Sequence, residues 1–378
     1  MARFPASLPA LLAQLVATPS VTPEGDAGGS TPGETAMGQV LAALLRQLGA
    51  DVSDRPLAPG RPNLLGIFEP AGPPVATVAL IPHLDTVGVK GMTVPPFALT
   101  RRGGRLHGRG SCDTKGPMAA ALWAFHRWTR SVAARRSRVR WIFAATSAEE
   151  SGSLGAQALV ETGFRPDFAV ALEPTDRKVV YAAKGVVRAW IEADGIAAHS
   201  SRPDRGDNAV YKVLDLARAL RDDVAPALAA RRHPVLGPAS FNLGVITGGR
   251  DLNIVPDSCR IGIDLRVHPS CTADQAMALI ERARAKFGRA TRLREIRRAP
   301  PFVTDRADPW ARRLRAVGCG WAKAPWFCDA NIFAAAGIPA VAFGPGSAIQ
   351  AHTKDEFITS SELTAGAEAF YQFLARNS

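Results

Sequence analysis

Apolar positions recur along this chain with two different periods, and the change from one to the other marks its elements. Leu8, Leu11, Leu12, Leu15 and Val16 return at three- and four-residue intervals, which puts them on one face of a helix. Gln14 interrupts that run, so it reads as a core helix rather than the apolar segment of a signal peptide. After a turn-rich loop, "ETAMGQVLAALLRQLGA" repeats the helical spacing and stops at Gly49. "NLLGIFEP", "VATVALIPHLDTV" and "VRWIFAAT" carry few polar residues, as strands of a sheet covered on both faces must. "GPMAAALWAFHRW" forms a helix between two of them. This alternation predicts an α/β sheet with short connections.

From about Lys184 the texture changes. "GVVRAWIEADG" predicts a strand, "NAVYKVLDLARAL" a helix, "ASFNLGVITGG" and "SCRIGIDLRV" two strands, "ADQAMALIERARAKF" a helix and "TRLREIRR" a last strand. That order makes a complete small α+β unit. The alternating texture returns with "IFAAAGIPAVAFGPGS" and a helix after Asp355. The chain of 378 residues also exceeds what a single core usually supports. The expected organisation is a two-domain α/β protein, with helices on both faces of a catalytic sheet over 1–182 and 297–378. An α+β domain over 183–296 interrupts it.

Composition narrows the function classes. Apolar residues at 47% and charged residues at 21% describe an ordinary globular protein. The net charge of +12 raises nucleic acid as a partner. However, the arginines between Arg127 and Arg140 and between Arg282 and Arg298 alternate with apolar residues at helical spacing, and no basic motif is interleaved with aromatics. They read as solvated helix faces, and no nucleic-acid partner is expected. No stretch approaches the roughly 18 apolar residues that span a bilayer, so no membrane association is expected either. Five scattered cysteines without a C-x-x-C pair fit a reducing compartment, and the expected localisation is cytoplasmic.

The chemistry gathers at strand ends. His83 and Asp85 follow "VALIP", Asp113 sits in "GRGSCDTKG", Glu149 and Glu150 follow "IFAAT", Glu173 ends "FAVAL", and His352 follows "GPGSAIQA". Singly, each has a plain alternative. His83 reads equally as a hydrogen-bonded strand-end histidine, Glu173 before Pro174 as a helix-start carboxylate, and Glu149 with Glu150 as a solvated pair. Open α/β sheets, however, bind ligands beyond the carboxyl ends of their strands, so distant residues of this kind can converge. Imidazole and carboxylate donors without cysteine suit Zn²⁺ or a similar first-row ion in an open site. "GRGSC" is not a dinucleotide fingerprint, because Asp113 takes the third glycine's place, and no G-x-S-x-G occurs. Cys112 reads as a small packing residue.

The segments "HLDTV", "GRLHGRGSCDTKGPMAAAL", "TSAEESGSLGA", "ALEPT", "AAHSSRPDRGDNAV", "NIVPDSCRIGIDLR" and "GPGSAIQAHTKDEF" occur in that order across nearly the whole chain. Together they resemble the dinuclear-zinc deacylases and peptidases, which include acetylornithine deacetylase, succinyl-diaminopimelate desuccinylase, aminoacylases and glutamate carboxypeptidase. The resemblance implies two zinc ions, with Co²⁺ or Mn²⁺ able to substitute. His83 and Glu173 would hold one, Glu150 and His352 the other, and Asp113 would bridge them, followed by a cis peptide to Thr114. Glu149 would be the general base, with Asp85 orienting His83. The inserted domain would form a homodimer in which His199 stabilises an oxyanion in the partner's site. Asn253 and Arg266 would bind the substrate carboxylate, aided by the backbone of the Gly344–Ser347 turn around Gly346.

"SCDTKG" and "GPGSAIQAHTKDEF" resemble the acetylornithine deacetylases most. "HLDTV" departs from the pattern, with Gly88 next where many members have proline. The implied reaction is hydrolysis of an N-acyl amino acid of the N-acetylornithine type, with succinyl-diaminopimelate or a peptide as alternative substrates. An inactive homologue serving as a binding protein would lack a ligand or the base, and none is missing here.

Overall fold

The structure is a computed structural model that describes residues 4–26 and 33–378. The chain forms two compact units. The first takes the chain up to Tyr181 together with Val303–Ala322 and Cys328–Ser378, and the second takes Ala182–Phe302 with Lys323–Phe327. The return to the first unit falls at Val303 rather than at 297. The reason is that the strand Thr291–Ala299 stays paired with Gly185–Asp194 along its length, so it belongs wholly to the inserted unit.

The sheet of the first unit runs Asp51–Asp54, Leu64–Phe68, Val139–Ala145, Ala76–Ile81, Phe168–Ala171 and Ala340–Ala342, followed by Val179–Ala183, which leads the chain onward. The four strands from Val139–Ala145 to Ala340–Ala342 are mutually parallel. Both of their faces are covered, which explains their apolar runs. Trp141, Phe143, Val78, Leu80, Phe168 and Val170 point to one face, where helices Lys115–Trp128 and Ser360–Arg376 pack together. On the other face small residues such as Ala79, Ala144, Ala169 and Ala171 let helices Leu154–Glu161 and Asp329–Ala335 approach. Trp141 is fully buried and meets Trp310 and Phe373 edge-on. A buried side chain of that size contributes about 1.5–3 kcal/mol. The first helix, Leu8–Val16, buries the five residues its spacing singles out.

A second sheet of this unit joins Thr100–Arg102, Arg105–His107 and Phe357–Thr359. Three-residue strands are too short for a periodicity to declare, and the sequence analysis does not contain them. Their effect is to set the segment after His352 beside the segment before Asp113.

The second unit is a four-stranded antiparallel sheet in the order Ser240–Gly248, Ser258–Val267, Gly185–Asp194, Thr291–Ala299. Helices Ala209–Ala219 and Ala273–Ala285 cover one face, burying Val213, Leu216, Ala276 and Ile280 against Val187, Ile191, Ile261 and Leu265. The strand Ser240–Gly248 is an edge, with Val245 and Ile246 exposed.

Candidate active site

Parallel strands all end on one side of a sheet, and the loops after Ile81, Ala145, Ala171 and Ala342 gather there. His83 sits two residues past its strand and bridges to Thr146 at the end of the neighbouring strand. Asp113 lies two residues before the helix starting at Lys115 and is joined to Thr114 by a cis peptide bond. Glu173 sits two residues past its strand and leads into a turn held by Thr175 and Gly344 rather than into a helix, so the helix-start reading does not hold.

These residues converge. Asp113 Oδ1 lies 3.1 Å from His83 Nε2, and its Oδ2 lies 3.3 Å from His352 Nε2. His352 Nε2 is also 2.9 Å from Glu150 Oε1. Three groups have one ligand atom per residue within 4.8 Å of the others: His83 with Asp113 and Glu173, His83 with Glu149 and Glu150, and Asp113 with Glu150 and His352. Asp113 belongs to two of them, its two oxygens facing different histidines.

The electrostatics ask for cations. Burial pushes Glu149 and Glu173 well above the ordinary carboxylate range, and neighbouring carboxylates add to this in both cases. Burial raises Glu150 as well. Asp113 goes the other way: burial works to raise it, but hydrogen bonds from His352 and His83 hold it below the usual range. Hydrogen bonds to Asp113 and Glu150 push His352 up to about 10. His83 donates Nδ1–H to the Asp85 carbonyl at 2.9 Å, so in the neutral ring the Nε2 lone pair would face the Asp113 carboxylate. Two lone pairs opposed in a buried site require a proton or a metal between them. Nitrogen and carboxylate donors without sulfur fit first-row divalent ions.

A measurable consequence concerns protons. Because His352 is held protonated to about pH 10 without a cation, an ion entering that side must displace its proton. The apparent affinity for Zn²⁺ is therefore expected to rise between pH 6 and 9, by about tenfold per pH unit for each proton released. Metal titration calorimetry in buffers of different ionisation enthalpy tests this, and uptake without proton release would contradict it.

Asp85 is placed differently from the simplest form of its expected role. Its carboxylate lies 3.6 Å from His83 Nδ1, whose hydrogen bond goes instead to the Asp85 backbone carbonyl. The carboxylate accepts the backbone N–H groups of Glu149 and Glu150 at 3.1 and 3.0 Å. Asp85 thus ties the histidine to the adjacent acids.

Residues with no role in the sequence analysis support the site. Glu356, wholly buried, accepts Arg109 Nη1 at 2.7 Å and the backbone N–H groups of Gly110, Cys112 and Asp113 at 2.9 to 3.0 Å. It clamps the loop that presents Asp113. Asp329, also buried, accepts Thr146 Oγ1 at 2.6 Å, beside His83. A buried carboxylate that serves backbone donors leaves no periodicity, and only the tertiary structure finds it. Cys112 is buried with its thiol donating to the Ser347 carbonyl, and burial, with Glu356 and Asp113, raises its pKa well above the ordinary value. It is a packing residue. Gly346 has φ of +90°, and a Cβ there would meet Cys112 Sγ at 2.8 Å, so glycine is required by both conformation and space.

His199, Asn253 and Arg266 lie on the second unit. His199 is exposed, and its Nδ1 accepts the Ser201 N–H and meets Ser201 Oγ at 2.8 Å, which leaves the hydrogen on Nε2. Asn253 is exposed, and its carbonyl accepts the Ser200 N–H, so it neighbours His199. Arg266 is half-buried and donates Nε and Nη2 to Asp264 in its own strand.

Comparisons with known proteins agree with this geometry. The model of peptidase family M20/M25/M40 matches residues 79–376. An acetylornithine deacetylase of Myxococcus xanthus is 31% identical over 80% of this chain and 80% of its own. A probable succinyl-diaminopimelate desuccinylase of Staphylococcus epidermidis is 27% identical over 85% of this chain and 87% of its own. Among solved structures, a metallo-carboxypeptidase of Sulfolobus solfataricus superposes with a TM-score of 0.81 at 16% identity, covering 96% of this chain and 97% of its own, which shows the shared fold. A match over most of the chain, together with histidines and carboxylates converging at the strand ends, places this protein in peptidase family M20/M25/M40, as a metal-dependent amidohydrolase.

Proposed function

We propose that this enzyme hydrolyses the amide bond of an N-acyl L-amino acid, most specifically an N-acetylornithine-type substrate, with Glu149 transferring the proton. The observation that carries this reading is the Glu149 carboxylate within 4.8 Å of both His83 and Glu150, beside a shared Asp113. His83 and Glu173 would hold one ion, Glu150 and His352 the other, with Asp113 common to both. Zinc is the proposed metal, with cobalt or manganese as substitutes. When bound, such a pair polarises the scissile carbonyl and lowers the pKa of water toward ~7.

Glu149 then takes a proton from the attacking water and returns it to the nitrogen of the leaving amine. Glu149 and Glu150 lie in a turn after the left-handed Ala148, where Glu150 meets His352 and would hold an ion while Glu149 would face the reacting water. Asp85 keeps both backbones in place. Ions beside Glu149 and Glu173 offset the burial that otherwise favours their protonated forms.

The acyl substrate is assigned through similarity to the deacetylase and desuccinylase relatives. Asn253, Arg266 and the turn around Gly346 are proposed to receive its carboxylate. Arg266 would do so with the guanidinium edge that Asp264 does not occupy. A homodimer through the second unit is proposed, with His199 Nε2–H as an oxyanion donor in the partner's site. The exposed side chains of Val245, Ile246, Tyr211 and Leu214 on that unit support it, since an apolar edge strand and helix are surfaces a second copy would cover.

The test is amine release from N-acetylornithine, N-acetylcitrulline, N-succinyl-diaminopimelate, several N-acetyl amino acids and dipeptides, with and without a chelator. Chelator-sensitive release, fastest from N-acetylornithine, is expected. Preference for the succinyl substrate or a dipeptide would move the assignment within the family.

A further inference from the structure

Side chains accept four consecutive N–H groups of the segment that carries the adjacent glutamates. Ser147 N–H goes to Asn63 Oδ1 at 2.9 Å, Ala148 N–H to Glu34 Oε1 at 2.6 Å, and Glu149 and Glu150 N–H to the two oxygens of Asp85. Ala148 has φ of +61°, a conformation non-glycine residues rarely adopt. It immediately precedes Glu149. Glu34, at the start of the helix Gly33–Gln47, is 3% exposed. Its other oxygen is held by Arg61 Nε at 2.6 Å, two residues before Asn63. Ser147 Oγ donates to the Pro62 carbonyl at 2.6 Å, so the loop 61–63 frames the same turn.

We infer that Glu34 is a positioning residue for catalysis: by holding the Ala148 N–H it fixes the direction in which the Glu149 carboxylate points. The inference rests on Glu149 being the proton-transferring group. Arg61 supplies the charge that lets a carboxylate sit buried there, and Oε1 accepts the Ala148 N–H at 2.6 Å with Arg61 Nη2 more distant at 3.4 Å. Without Glu34 that buried N–H loses its acceptor and the left-handed residue relaxes, turning Glu149 away. Both glutamates keep their backbone ties to Asp85, and the Glu150 carboxylate also keeps its contact with His352, so metal binding is preserved. A misplacement of ~1 Å in reacting geometry costs up to about 10²-fold.

The test uses the full-length, metal-loaded enzyme with the best substrate of the panel above. Glu34→Ala is expected to lower kcat about 10- to 100-fold while KM and the two ions per chain stay at parental values. Arg61→Ala, which removes the ion pair but leaves the acceptor, is expected to lower Tm comparably yet keep kcat within about threefold. Glu34→Gln keeps an acceptor oxygen and is expected to behave like Arg61→Ala. Parental kcat in folded Glu34→Ala, equal kcat losses in Glu34→Ala and Arg61→Ala, or a folded Glu34→Gln slowed more than about tenfold would each overturn the inference. Glu149→Ala measured alongside separates the two readings: if that variant turns over normally, the base assignment fails rather than the tether.

Discussion

Replacing Glu149 with alanine is expected to leave two metal ions per chain and to lower kcat by about 10²–10⁴-fold, the usual contribution of a positioned general base. The geometry separates this acid from its neighbour. Glu150 stands 2.9 Å from His352 and shares a group with Asp113 and His352, so its loss should also remove the ion on that side. Glu149 groups with His83 and Glu150, while His83 also has Asp113 and Glu173 as partners. Taking Glu149 away therefore leaves a full donor set. Metal analysis and single-turnover amine release on Glu149→Ala and Glu150→Ala decide the matter. Near-normal turnover by Glu149→Ala with both ions bound would remove the proton-transfer role.

Asp113→Asn should have the larger effect on metal binding. This carboxylate faces His83 with one oxygen and His352 with the other, and hydrogen bonds from both histidines keep it ionised despite burial. An amide supplies one neutral oxygen and turns an NH₂ toward the other histidine. Both donor groups that contain Asp113 then lose their shared anion, and the expected result is less than one ion per chain with no detectable hydrolysis. The fold should survive, because the core of Trp141, Phe143, Phe168 and Phe370 does not depend on this side chain. Equilibrium dialysis with zinc, alongside circular dichroism, tests it. Two ions still bound per chain would mean that Asp113 is not the shared ligand.

The residues of the site differ in the kind of signal each leaves in the sequence. His83, Glu150 and Glu173 are legible because each lies just beyond an apolar run, and a sheet can bring such ends together, whereas Asp113 and His352 sit in glycine-containing loops and are legible through the family motifs that contain them. Glu34, Asn63, Glu356 and Asp329 are equally buried beside the site, yet they follow no apolar run. Each accepts hydrogen bonds from another part of the chain, as Glu34 does from Ala148 and Glu356 from Asp113. A contact across 114 or 243 positions has no local periodicity to announce it.

The sequence by itself determined the alternation of helices and covered strands, the inserted α+β unit and the set of donors at the strand ends, because burial on one or both faces imposes a spacing that can be read locally. The tertiary structure alone decided the partners. It split the oxygens of Asp113 between two histidines, turned the Asp85 carboxylate to the backbone of the adjacent glutamates, and placed Glu34 beneath Ala148. Those choices depend on which loops meet beyond the sheet, and that is fixed by the packing of the whole unit.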